Sequence, residues 1–271
     1  MTVLSFIILL LIGMSAGLAA GFLGIGGGAV LTPLCLLVYP SLGIPEDIMM
    51  KVIFGTNMFL VMIFSASAVA MHHGNNKIHW KTVAWMVPLA VIGSFLGAWA
   101  AAQMDSSLLK KSFAVLLLVS SLLIVVRGST KPTGSRSGAI ALLPMKLLPL
   151  LGFATGFAGS FLGIGGGVVM IPSLILLFSV PVDRVAATSS SIIIFIGVVG
   201  MASYIYHGWN LYDLPGWSTG FVWWAAAIPL ALGGIPMARV GAWLNAHTHD
   251  KMLQRIFGFV LLIIAVKMLF F

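Results

Sequence analysis

Long apolar runs broken by short polar stretches set the pattern of the chain. The first apolar stretch, Val3 to Tyr39, is interrupted only by a glycine run at Gly24, Gly26, Gly27 and Gly28. At about 1.5 Å per residue it is too long for one ordinary span. Four glycines close together also weaken a continuous helix. The stretch therefore predicts two helical arms meeting at a glycine-rich bend, with the second arm starting near Ala29. Three helices are predicted to follow, near Val52–Met71, Thr82–Gln103 and Leu108–Val126. The second half predicts the same order: two arms from Leu147 to Phe178, then Val185–Tyr206, Gly220–Ala238 and Met252–Phe270. Runs such as Phe113–Val126 and Phe257–Val266 extend into helices of bilayer length, roughly 20 residues. They do not fit the short alternating strands of a membrane barrel.

The two halves also repeat residue by residue. Phe-Leu-Gly-Ile-Gly-Gly-Gly occurs at Phe22–Gly28 and again at Phe161–Gly167. Gly13 and Gly17 pair with Gly152 and Gly156, and Pro33 with Pro172. Further on, Ile44-Pro45-x-Asp47 matches Val180-Pro181-x-Asp183, Thr56 matches Thr188, and His73-Gly74 matches His207-Gly208. Pro88 and Gly93 match Pro229 and Gly234. Gene duplication accounts for this series. The expected fold class is all-α: a polytopic helical membrane protein of two homologous halves, each a glycine-broken hairpin plus three transmembrane helices. The expected parts are an N-terminal membrane repeat over 1–127, a basic cytoplasmic linker over 128–146 and a C-terminal membrane repeat over 147–271. The halves are expected to form one integrated membrane domain, because repeats in a membrane usually share the site between them.

Composition strengthens the membrane reading. The chain has 271 residues, 60% hydrophobic and 7% charged, against roughly 25% charged in average soluble domains. The formal net charge is +8. Most Lys and Arg fall in short loops, so they report orientation rather than nucleic-acid binding. The basic linker, with Arg127, Lys131, Arg136 and Lys146, belongs on the cytoplasmic side, as does the loop at His72–Lys81. The corresponding loop of the second half, His207–Ser218, lacks Lys and Arg, whereas Arg239–Arg255 is basic. Opposite charge biases in matching loops predict inverted halves; Lys110 and Lys111 run against that prediction. The start, Met1 to Phe6, has no Lys or Arg, so the first apolar run is expected to be retained and not cleaved as a signal peptide. The single cysteine, Cys35, sits in an apolar segment and reads as a structural thiol.

The candidate chemistry lies at the breaks. A bend at Gly26, Gly27 and Gly28 leaves backbone N–H groups without helical partners, at a helix N-terminus of positive dipole character. Gly165, Gly166 and Gly167 repeat it. Irregular backbone at membrane depth is tolerated where it is buried in protein or lines a cavity, so both runs are candidate oxyanion sites; close helix packing is the competing reading. Gly13, Gly17, Gly152 and Gly156 are assigned to packing. Thr56 and Asn57, matched by Thr188 and Ser189, offer neutral donors to an anion or bonds to helix backbone. Lys51 and Arg184 precede the predicted Thr-bearing helices and either attract anions or snorkel. His73 and His207 either cap helices or titrate as coupling groups. The acids Glu46, Asp47, Asp105, Asp183, Asp213 and Asp250 all fall near predicted helix ends. A cation or proton carrier commonly needs a carboxylate within the span, so an anion is the expected cargo. Gly24-Ile-Gly26-Gly-Gly-Ala29 fits a relaxed dinucleotide pattern with Glu46 further on, but membrane-length apolar arms flank it and exclude that use. Neither a cofactor nor a metal is expected, and a homo-oligomer stays open. An intramembrane enzyme would need a nucleophile–base pair or metal ligands, and the sequence presents no such set; a membrane scaffold is the other alternative.

The doubled Phe-Leu-Gly-Ile-Gly-Gly-Gly-x-Val-x-x-Pro, each followed by a Thr-containing small-residue segment, resembles the TauE/SafE sulfite exporter family. The resemblance covers nearly the whole chain. It implies export of a small sulfur-containing anion, sulfite or an organosulfonate such as sulfoacetate, across the cytoplasmic membrane by a secondary transporter using alternating access. Import of organosulfonates or other small oxyanions is the alternative direction. Asn57 departs from the family pattern, which often has Ser after the first-half Thr.

Overall fold

The structure is a computed structural model that describes residues 2–72, 78–127, 144–178, 182–209, 211 and 214–247. It is built almost wholly of helices. The first half gives α1 (Val3–Leu23), α2 (Gly28–Val38), α3 (Glu46–His72), α4 (Trp80–Gln103) and α5 (Ser106–Arg127). The second gives α6 (Leu148–Phe161), α7 (Gly167–Leu176), α8 (Val182–Gly208) and α9 (Trp224–His247). Among the described residues, five helices are long and apolar enough to cross a membrane: Val3–Leu23, Glu46–Met71, Trp80–Gln103, Arg184–Gly208 and Trp224–Asn245. The protein is thus an all-α, polytopic membrane protein. The broken arms α2 and α7 are too short to span the bilayer alone.

Several boundaries differ from expectation for identifiable reasons. α3 begins at Glu46 and not near Val52, because Pro45 followed by Glu46 and Asp47 is a helix start, with acids complementing the dipole of the first turn. Lys51 therefore lies inside α3, and Arg184 lies inside α8. In place of a helix from Gly220, a two-residue strand β1 (Ser218–Thr219) pairs antiparallel with β2 (Val222–Trp223) ahead of α9. Gly220 makes the turn between them at φ 54°. α9 then runs through Arg239, which was expected in a basic loop and instead sits exposed on the helix. Residues 128–143 of the linker, His73 and the expected helix Met252–Phe270 lie outside the described residues. The end of the linker forms a 3-10 turn, Met145–Leu147, that leads into α6.

Helices of one half pack on helices of the other. α1 lies along α9, α4 along α6 and α3 against α8. The small-residue stripes explain how close the first two pairs come. A Cβ at Gly13, Gly17 or Gly21 would run into the backbone of Leu230, Gly234 or Ala238 on α9. At Gly152 or Gly156 it would meet the backbone of Met86 or Ala90 on α4. Without a hydrophobic drive between helices in lipid, this backbone approach and its packing contacts hold membrane helices together.

Candidate anion site at the paired glycine bends

The two bends share one conformation. Gly24, Gly26 and Gly27 have φ of 69°, 85° and 81°; Gly163, Gly165 and Gly166 have 65°, 79° and 81°. All six are in the left-handed region, which only glycine occupies at no steric cost. Gly24 ends α1, its N–H bonded to the Ala20 carbonyl at 2.9 Å. Gly27 opens α2, its carbonyl accepting from Val30 and Leu31, each at 3.0 Å. In the second bend Gly166 does the same for Val169 and Met170, at 3.2 and 3.0 Å.

The bends meet each other at the junction of the halves. A Cβ on Gly28 would lie 2.6 Å from the Gly163 carbonyl oxygen, and one on Gly167 would lie 2.5 Å from the Ile25 Cα. Val61 of α3 and Ile193 of α8 close over both: a Cβ on Gly26 would lie 2.8 Å from Val61 Cγ1 and 3.3 Å from Ile193 Cγ2. Gly165 faces the same two side chains. Close backbone packing and bend formation are therefore one feature here.

The bends also carry unused donors. Both are buried. Among the described residues, no hydrogen bond reaches the N–H groups of Ile25, Gly26 or Gly27. The N–H groups of Gly28 and Ala29, and of Gly167 and Val168, open helices and have no carbonyl one turn back to bind. A buried N–H without a partner points to a water or ion. At a helix N-terminus it favours an anion.

The hydroxyl residues beside the bends are fully buried and partly engaged. Thr56 Oγ1 accepts from the Trp223 N–H at 3.0 Å. Thr188 Oγ1 accepts from the His79 N–H, also at 3.0 Å. Each repeat threonine thus holds the backbone just ahead of a helix in the other half, α9 or α4, and keeps its own O–H proton to donate. Ser189 Oγ donates to the Gly24 carbonyl at 2.9 Å and tethers α8 to the opposite bend. Asn57 Nδ2 donates to Thr32 Oγ1 at 2.8 Å. Ser191 bonds back to the Ala187 carbonyl at 2.9 Å, a local helix bond.

The charged candidates lie apart from this centre. Lys51 Nζ stands 5.9 Å from the centroid of the Phe221 ring, at the entry to α3. Arg184 is exposed in the first turn of α8. His207 is half-buried, its Nδ1 at 2.8 Å from the Ser203 carbonyl near the end of α8. Glu46, Asp47 and Asp105 are exposed at helix ends. Together with Ser106, Ser107 and Lys110 they line a cavity of about 630 Å³ on the outer side of α2. Among the described residues, no group of three or more His, Cys, Asp or Glu side chains could hold a metal ion.

Sequence reasoning missed a polar cluster under α4. Ser94 and Ser160 pair through their hydroxyls at 2.7 Å, Ser94 also donates to the Ile196 carbonyl, and the Tyr204 hydroxyl donates to the Ser160 carbonyl at 2.8 Å. Nothing in their local sequence links three helices. It also missed Tyr39 and Thr32, which stand against the Thr56 and Asn57 region from α2.

Comparison with known proteins agrees with the architecture. The chain is 27% identical over 265 residues to a probable membrane transporter protein of Haemophilus influenzae, covering 97% of this chain and 98% of that one. It is 26% identical to a probable membrane transporter protein of Methanocaldococcus jannaschii, covering 97% and 94%. It is also 26% identical to the probable membrane transporter protein YunE of Bacillus subtilis, covering 98% of each. No solved structure matches. The model of the family described as Sulfite exporter TauE/SafE matches residues 9–268, so the chain belongs to the TauE/SafE sulfite exporter family.

Proposed function

We propose that this membrane transporter exports a small sulfur-containing anion, sulfite or an organosulfonate such as sulfoacetate, by alternating access at a site between its two halves. The observation that carries the proposal is the pair of abutting, buried bends with unpartnered N–H groups. Gly26, Gly27 and Gly28 with Gly166 and Gly167 supply backbone donors, while the Gly165 N–H is used within its own bend, on the Gly159 carbonyl at 3.1 Å. Thr56, Asn57 and Thr188 supply neutral side-chain donors next to them, while Ser189, whose proton goes to the Gly24 carbonyl, braces the first bend. Such donors suit a sulfur oxyanion, which accepts several hydrogen bonds and needs no fixed counter-charge buried in the bilayer. Lys51 and Arg184 attract the anion at opposite entries, and His207 and His73 are the candidate coupling groups.

Two contacts support inverted halves. Thr56 and Tyr39 hold Trp223, so the start of α9 lies against the first part of α3. Thr188 holds His79, so the start of α4, which follows the end of α3, lies against the first part of α8. The matching helices α4 and α9 thus start at opposite ends of α3, as an inverted repeat requires. Rocking one half on the other then exposes the bends to each side in turn. An anion leaving a cell is driven by roughly 2.3 kcal/mol per charge per 100 mV of inside-negative potential. Proteoliposomes holding labelled sulfite or sulfoacetate test the proposal: saturable efflux that quickens with an imposed potential is expected, and the absence of saturable flux of any sulfur oxyanion contradicts it.

A further inference from the structure

Two buried polar atoms at the α2–α3 contact have no partner among the described residues: Tyr39 Oη and Asn57 Oδ1. Tyr39 is fully buried at the end of α2, its ring edge-on to Trp223 with centroids 5.2 Å apart. The Cys35 thiol and the Thr56 hydroxyl lie beside its phenol without forming a well-aligned bond to it. Asn57 meets Thr32, about two turns of α2 nearer the bend than Tyr39. Exchanging the two ends of its amide keeps the Thr32 bond, now donated by the threonine, and frees an NH2 group.

The repeat makes this cluster informative. Thr32 and Cys35 on α2, and Tyr39 just past its end, recur every three to four residues along one face. Their counterparts on the second-half arm are Ile171, Leu174 and Phe178, and Asn57 is matched by Ser189. The fold therefore tolerates an apolar face at this position. The first half instead buries a phenol oxygen and an amide oxygen there without partners, at a cost that packing alone does not explain.

We infer that the first half holds the anion off-centre, on the α2–α3 face, with Tyr39 as a further substrate-binding residue beside Thr56 and Asn57. This rests on the transport reading above. The Thr56 oxygen already accepts from Trp223, so its proton is the free part. With the Tyr39 hydroxyl and the Asn57 amide it forms a set of neutral donors leading from the end of α2 toward the bend. The second half, lined by Ile171, Leu174 and Phe178, supplies the packing surface against which the site opens and closes.

The second half supplies replacements that the fold already accommodates: Tyr39→Phe copies Phe178 and Asn57→Ser copies Ser189. Initial rates of labelled sulfite transport by the full-length chain in proteoliposomes, with a thermal melt of each variant, give the test. Tyr39→Phe is expected to raise KM roughly ten-fold or more, the loss of one hydrogen bond to a charged group, with the melt unchanged. If Tyr39→Phe does not fold, Asn57→Ser is read in the same way. A wild-type KM in the folded variant, while wild type transports, overturns this inference alone. No saturable sulfite or sulfoacetate flux from wild type overturns the transport reading and this inference with it.

Discussion

The glycines of this chain fall into physically distinct groups. Gly17 and Gly156 are spaces: a side chain there would strike the backbone of a facing helix. Gly27 is both a space and a left-handed residue, with φ of 81° and an added Cβ 2.7 Å from the Ala16 carbonyl oxygen. Gly43 is left-handed at 77° but faces open space, and Gly216 has room and an ordinary φ. Alanine at these positions should therefore destabilise in a fixed order. Gly216→Ala is expected to be near neutral, and Gly43→Ala to cost about 1–2 kcal/mol from the backbone alone. Gly27→Ala is expected to cost more, because overpacking adds about 1–3 kcal/mol. Thermal unfolding in detergent checks the order; equal melts for Gly43→Ala and Gly27→Ala would show that the bends are not tightly packed.

Between helices, the repeat threonines act as cross-braces. Thr188→Val removes the acceptor for the His79 N–H and should cost about 1 kcal/mol by leaving a part-buried donor unpaired. Thr188→Ser should restore most of it, and the melts of the two variants check this. An unchanged melt in Thr188→Val would mean that the His79 backbone finds water instead. The helices themselves and the bends were legible in the sequence, because apolar runs and clustered glycines are local signals. The partners of the threonines were not, since Thr56 and Trp223 stand 167 residues apart. Tyr39 read as the aromatic end of an apolar run. Only its burial without a partner, set against Phe178, makes its hydroxyl significant, although comparing the repeats position by position would have flagged it. The start of α3 was misread because hydropathy follows the apolar residues, while the helix begins at its acidic first turn.

Taken together, the molecule is two halves locked across a shared centre, each lending helices to the other. If the halves are inverted, cysteines at Ser41 and Trp209 lie on one side of the membrane and a cysteine at Lys81 on the other. Cys35, the sole native cysteine, is buried. An impermeant maleimide applied to intact cells should label Ser41→Cys and Trp209→Cys, and reach Lys81→Cys only after permeabilisation. Labelling of all three from outside would contradict the arrangement. The central claim is that the anion sits where the bends meet the Thr56 and Asn57 face. Selenite is the heavier isologue of sulfite and scatters anomalously, so an anomalous map of selenite-soaked crystals tests that claim most directly. The account predicts a selenium peak beside the bends on the α2–α3 face, its oxygens about 3 Å from the donors there. A peak confined to the cavity beside Lys110, with none at the bends, would contradict it.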